Sequence, residues 1–270
     1  MVQWMQINRK RGDLVDLLNQ WILSQNDDGT TLYSLTGTLA LVPMVAVMLW
    51  YLWRHKIHPL KGIAIGALGY FMTIWTHNLV MWIMDGFAPG RYGAEANLCV
   101  AFVYLPLLAL LLGAVFNLPY RQVSDQLAVS ITALHVLGRV GCIFTGCCYG
   151  YPMDRGLWSF QTLDNRFPVV LVEGAFTLGI LIWLLIRVGR RGYIPDGKTL
   201  PLMLAVYGLC RFATEFLRDN EKLFLGLSDI SLHALFMAAV GVAMLLWLAQ
   251  KERQVVGDES PLPTLKANRR

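Results

Sequence analysis

Seven stretches of this sequence are too apolar and too long for an ordinary water-soluble fold: roughly 32–53, 62–84, 96–116, 126–146, 169–186, 200–217 and 229–249. Each provides, or nearly provides, the ~20 residues a helix needs to cross a hydrocarbon core about 30 Å thick. The fifth and sixth lie at the short end of that range, and the fourth and sixth carry ionisable residues. Composition agrees, with 56% hydrophobic and only 15% charged residues among 270, where a soluble domain carries about 25% charge. The deficit argues against a disordered chain, a nucleic-acid binder and an ordinary cytosolic enzyme. The expected fold is an all-α polytopic membrane protein with seven transmembrane helices.

Charges between the segments set the expected orientation. Arg54, Lys56 and Lys61 follow the first segment, Arg121 the third, Arg187, Arg190, Arg191 and Lys198 the fifth, and Lys251, Arg253, Lys266, Arg269 and Arg270 the last. On the opposite side Arg91, Arg155, Arg166, Arg218 and Lys222 are diluted by Asp85, Glu95, Asp154, Asp164, Asp219 and Glu221. The positive-inside rule then predicts the N-terminus outside and the C-terminus in the cytoplasm.

Three regions are expected on this basis. In residues 1–31, Leu14, Val15, Leu17, Leu18, Trp21 and Ile22 recur at helical spacing, which reads as an amphipathic or interfacial segment. Residues 32–249 form the seven-helix domain, and the polar stretch 250–270, with Pro261 and Pro263, reads as a mobile cytoplasmic tail. No Ala-x-Ala pattern precedes the first span, so no removable signal peptide is expected. Gly62, Gly66 and Gly69 fall near one face of the second span and predict close helix packing.

The ionisable residues inside the spans are the functional signal. Arg139, Glu173, Arg211 and Glu215 all fall in the outer half of the predicted membrane. Arg211, Glu215 and Arg218 are four and three residues apart on one helix face, and His135 shares a face with Arg139. A charge at the bilayer centre costs about 2.5–3.5 kcal/mol even on the lenient insertion scale. Several near one level predict a polar cavity. Glu173 and Glu215 can simply neutralise the arginines and pin the helices. Alternatively, the guanidiniums form a phosphate clamp, since their planar fork matches phosphate oxygens bidentately. The expected ligand is then an anionic phospholipid headgroup reached laterally from the bilayer.

Three motifs carry a resemblance to a known family. Gln122-Val123-Ser124-Asp125 leading to Gly138-Arg139-Val140-Gly141, then Arg166-Phe167-Pro168 with Leu171 and Glu173, then Tyr207-Gly208, Arg211, Glu215-Phe216 and Arg218 follow one another in order. Together they resemble the prolipoprotein diacylglyceryl transferase family, in a divergent branch. That resemblance implies transfer of the diacylglyceryl group of phosphatidylglycerol to a lipobox cysteine of a preprolipoprotein, with release of glycerol phosphate. It implies no cofactor, and a site in the bacterial inner membrane facing outward. It gives Arg139 and Arg211 the lipid phosphate, with Glu173 and Glu215 beside them, Arg218 at the rim and Tyr207 as a hydrogen-bond partner.

The chain departs from the family pattern in two places. The His-Gly-Gly of the family is missing; Cys99, or with an insertion Tyr92-Gly93-Ala94, stands opposite it, which makes Tyr92 a candidate substrate contact. In the stretch where the family has G-N-F-x-N-G-E, the two Asn and the Glu are replaced by Cys142, Thr145 and Cys147, within a run ending Gly146-Cys147-Cys148-Tyr149-Gly150. A substitute base is sought among His77, His135 and His233, with His135 favoured because it shares a face with Arg139. A packed, hydrogen-bonded histidine is the plainer reading of each.

Cys142, Cys147 and Cys148 form a possible thiol site. Packing as small hydrophobes, a disulfide such as Cys142 to Cys147, and catalysis or metal ligation all remain open. Ligation of zinc would need a fourth ligand such as His77 or His135, and the spacing does not resemble a zinc pair, so no metal is assigned. The leading expectation is a transferase. A catalytically lapsed lipid-binding protein or complex subunit, and a thiol-redox membrane protein, are the alternatives.

Overall fold

The computed structural model describes residues 13–24, 30–84, 98–222 and 225–258. The described residues form ten helices and one hairpin: α1 Asp13–Leu23, α2 Thr30–Leu39, α3 Leu41–Arg54, α4 Pro59–Met84, α5 Leu98–Val103, α6 Leu105–Phe116, α7 Tyr120–Thr145, β1 Pro152–Ser159, β2 Asp164–Arg166, α8 Val169–Gly189, α9 Thr199–Glu215 and α10 Asp229–Asp258. Among the described residues, four helical runs are long and apolar enough to cross a membrane: Thr31–Arg54, Tyr120–Thr145, Val169–Gly189 and Asp229–Gln254. α4, at 26 residues, is as long as the longest of these.

Proline explains where the helices differ from the expected spans. The stretch read as one span over 96–116 breaks at Tyr104, between α5 and α6. Pro106, in the first turn of α6, has no N–H to continue the ladder from α5. Pro43 stands similarly after the joint at Ala40, where α2 passes into α3. α6 ends on left-handed Asn117 (φ 53°) and α7 on left-handed Gly146 (φ 61°), both ordinary helix terminators.

α7 is the central pillar, packed by α2, α3, α6, α8 and α9. Its first half buries Ser124, Asp125, Gln126, Ser130 and Thr132 along with Val123, Leu127, Val129 and Ile131. Around it gathers the main apolar core, with Tyr51, Leu52, Ile65, Leu105, Leu184, Leu200, Met203 and Met237. Gly66 and Gly69 let α4 close on Met48 and Leu127, as the glycine face predicts. α9 and α10 meet closely enough to exclude a side chain: a Cβ on Gly241 would lie 2.6 Å from both Ala205 N and Pro201 O.

The hairpin corrects the strictly all-α expectation. β1 and β2 pair antiparallel, with Trp158 opposite Asn165 and Ser159 opposite Asp164. The sequence between α7 and α8, residues 146–168, is rich in Gly, Pro, Asp and Asn, which end helices and favour turns. Gly150 bridges Arg218, and Tyr151 N donates to Leu217 O at 3.3 Å, so the chain after α7 is laced to the chain after α9. α1 docks on β1 through Asn19, which donates to Gly156 O at 3.1 Å and accepts from Trp158 N at 2.7 Å. Ile22 of α1 is buried while Leu14, Leu17 and Trp21 are exposed. α10 extends to Asp258, into the stretch expected as a tail; residues 259–270 lie outside the described residues.

Candidate functional site

The charged residues of α7, α8 and α9 converge on one carboxylate. Glu173, four residues after the start of α8, takes Arg139 Nη1 at 3.1 Å and Arg218 Nη2 at 2.8 Å on Oε2. Its Oε1 accepts from Arg211 Nη1 at 2.6 Å and from Thr214 Oγ1 at 3.0 Å. Glu215 Oε2 lies 2.8 Å from Arg211 Nη1 and 3.7 Å from Arg218 Nε. Its Oε1 accepts from Ser228 Oγ at 2.7 Å and from Asn220.

None of these five charged side chains is more than 9% exposed. Three guanidiniums against two carboxylates leave one positive charge in excess at the buried site. Nε of Arg139 and Nε of Arg218 have no hydrogen-bond acceptor among the described residues. A buried N–H without an acceptor costs about 1–3 kcal/mol, more when charged, so the cluster carries hydrogen-bonding capacity that the surrounding side chains do not use.

Tyr207 of α9 joins the network to a histidine. Arg139 Nη2 donates to the Tyr207 hydroxyl at 3.1 Å, and the same oxygen lies 2.7 Å from His135 Nε2. Phe102 of α5 meets both rings edge-on or tilted, at 5.6 and 5.5 Å between centroids. Thr132, Thr177, Ile180 and Met203 complete a narrow crevice beside them.

Arg139, Glu173, Arg211, Glu215, Tyr207 and His135 thus come together as one site. Arg218, expected at the rim, is instead buried with 2% of its side chain exposed. The reason is local: α9 stops at Glu215, and the following turn folds Arg218 back toward Glu173. Of the other histidines, His233 contacts Asp229 of its own helix turn at 3.2 Å, and the side chain of His77 lies outside the described residues. So do Tyr92 and the side chain of Cys99.

Cys142, Cys147 and Cys148 are all half-buried, with Sγ atoms within 4.8 Å of one another. Packing accounts for part of this, since Cys142 and Cys148 touch the small core of Tyr149, Leu157, Val169 and Val170.

A second polar cluster, near the start of α7, was not anticipated. Tyr193, in the loop after α8, donates to buried Asp125 Oδ2 at 2.7 Å and lies 3.0 Å from Thr199 Oγ1. Burial and the neighbouring Asp125 push the Tyr193 phenol up, so it keeps its proton. Asp196 and Arg187 pair beside it. The available signal was Asp125 itself, an acid at the edge of the fourth apolar run.

Four membrane-length helices and a buried Arg–Glu network within a mostly helical chain define a multi-pass membrane protein. Residues 62–247 match the family described as prolipoprotein diacylglyceryl transferase, and the chain belongs to that family. It is 31% identical over 145 residues to the phosphatidylglycerol--prolipoprotein diacylglyceryl transferase of Dehalococcoides mccartyi, covering 52% of this chain and 55% of that protein. It is 33% identical over 155 residues to the protein of the same name from Cupriavidus pinatubonensis, covering 53% and 54% respectively. The figure for the one from Polynucleobacter asymbioticus is 36% over 118 residues, 41% of this chain and 42% of that protein. The chain thus spans about half the length of the curated relatives it matches.

Proposed function

We propose that this chain moves the diacylglyceryl group of phosphatidylglycerol to an acceptor thiol, the lipobox cysteine of a preprolipoprotein, at the outer face of the bacterial inner membrane. The observation that carries the reading is the gathering of Arg139, Arg211 and Arg218 on Glu173 in a chain of this family. The excess positive charge and the two Nε–H groups suit one lipid phosphate diester. As the thiol sulfur bonds to the glycerol carbon, the C–O bond to phosphate breaks and its electron pair leaves on the phosphate oxygen. The phosphate charge grows in that step, and fixed cations in a water-poor site strengthen most where charge develops. The thiol proton passes to His135 by way of the Tyr207 hydroxyl.

The same reading includes seven spans, an outside N-terminus and a cytoplasmic C-terminus, supported by the distribution of Lys and Arg. Residues 1–31 then lie at the outer interface, 32–249 in the membrane and 250–270 in the cytoplasm.

One observation favours a second reading: each guanidinium already has a glutamate partner, as a purely structural pin requires. A lipid-binding protein or complex subunit would then replace the enzyme. The deciding experiment incubates purified protein with labelled phosphatidylglycerol, with and without a lipobox peptide, followed by mass spectrometry. A diacylglyceryl thioether on the peptide supports the proposal. Glycerol phosphate without peptide modification keeps the lipid chemistry and replaces the acceptor. Lipid that stays bound and intact gives the lead to the second reading.

A further inference from the structure

We infer that Cys142, Cys147 and Cys148 form a three-thiolate site for one soft metal ion of the monovalent copper class. Cys142 stands on the last turn of α7, and left-handed Gly146 turns the chain so that the next two cysteines fold back over it. A side chain at Gly146 would collide with the backbone of Phe160, so the turn is built for glycine. Cys148 is itself left-handed, with φ of 64°. A non-glycine residue there is uncommon, and such strain persists where the surroundings over-determine it, often at ligand sites.

The distances suit one ion. A metal–sulfur bond of about 2.3 Å puts three sulfurs in a plane ~4 Å apart, and all three Sγ atoms here lie within 4.8 Å of one another. All three are free cysteines. Among the described residues no histidine or carboxylate joins the group. Zinc in structural sites takes four ligands, whereas thiolates alone suit soft ions.

The Thr145 hydroxyl donates to Cys147 Sγ at 3.0 Å, as an outer-shell partner fixes a ligand. Binding replaces three S–H protons, released to solvent, with three metal–sulfur bonds; no electron is transferred. Cys142 and Cys147 occupy positions where the family motif carries Asn and Glu, so the site is a property of this branch.

The test is an anaerobic titration of the reduced, detergent-purified full chain with Cu(I) against a chromophoric Cu(I) chelator. One equivalent is expected to bind. Cys147→Ser should weaken binding more than 100-fold, and Thr145→Val about 10–100-fold. Wild-type binding of no copper, or equal binding by the Cys142→Ser/Cys147→Ser/Cys148→Ser variant, overturns the proposal. Should a variant fail to fold, alkylation of wild-type protein decides. One equivalent of Cu(I) should protect Cys142, Cys147 and Cys148 while leaving Cys210 labelling unchanged, and uniform labelling overturns the site. Thiols that remain disulfide-linked after reduction overturn it too. The inference is independent of the transferase reading: copper bound without lipid transfer sustains one and removes the other.

Discussion

The hydroxyl of Tyr207 lies 2.7 Å from Nε2 of His135, close enough to hand a proton across helices α9 and α7. Arg139 fills an acceptor position of the same oxygen from the other side, at 3.1 Å. Tyr207→Phe keeps the ring and its contact with Phe102 while removing both bonds. It should lower kcat/KM for lipid transfer about 10–100-fold, and the loss of a partner for buried Arg139 Nη2 and His135 Nε2 should cost about 1–3 kcal/mol of stability in detergent unfolding. Wild-type turnover in this variant would remove Tyr207 from the proton path.

Glu173 is the shared counter-charge of three guanidiniums. Glu173→Ala leaves Arg139 without a carboxylate partner and should cost about 3–5 kcal/mol of stability, because the cations stay buried. Adding Arg139→Ala should recover part of that loss, which a double-mutant cycle on thermal or denaturant unfolding measures.

Arg139→Ala alone leaves Glu173 paired with Arg211 and Arg218. The variant should remain extractable and folded yet lose lipid turnover, as followed by release of glycerol phosphate from labelled phosphatidylglycerol. Full activity would sink the phosphate clamp.

Gly241→Leu pushes a side chain into the backbone of Ala205 and Pro201, where a Cβ alone lies at 2.6 Å. Overpacking of this kind costs about 1–3 kcal/mol. The expected result is a lower unfolding temperature and weaker catalysis together, since α9 carries Tyr207 and Arg211.

Asn19→Ala removes both hydrogen bonds that hold α1 on β1. Amide exchange at Trp158 should quicken, and limited proteolysis should release residues before α2, with the helices of the core unaffected. Equal protection in variant and wild type would show that Ile22 alone anchors the segment.

Much of this arrangement was legible in the residues. Long apolar runs predict the helices, and Arg139, Glu173, Arg211 and Glu215 stand out because charge is costly there. Their meeting on one carboxylate was not legible, since it depends on how α7, α8 and α9 are rotated against one another. The resemblance puts Arg218 at the rim, whereas the turn after Glu215 buries it against Glu173. The break at Tyr104 follows from Pro106, a local signal that a hydropathy reading averages away. The hairpin and the Tyr193–Asp125 bond rest on contacts between residues far apart in sequence.

The bridge between Gly150 and Arg218 makes one mechanical unit of two places that differ in chemistry. Gly150 follows the cysteine turn by two residues, while Arg218 reaches Glu173 at 2.8 Å. Any shift of the turn pulls directly on a guanidinium of the buried network, so the backbone here is a lever with thiols at one end and cations at the other.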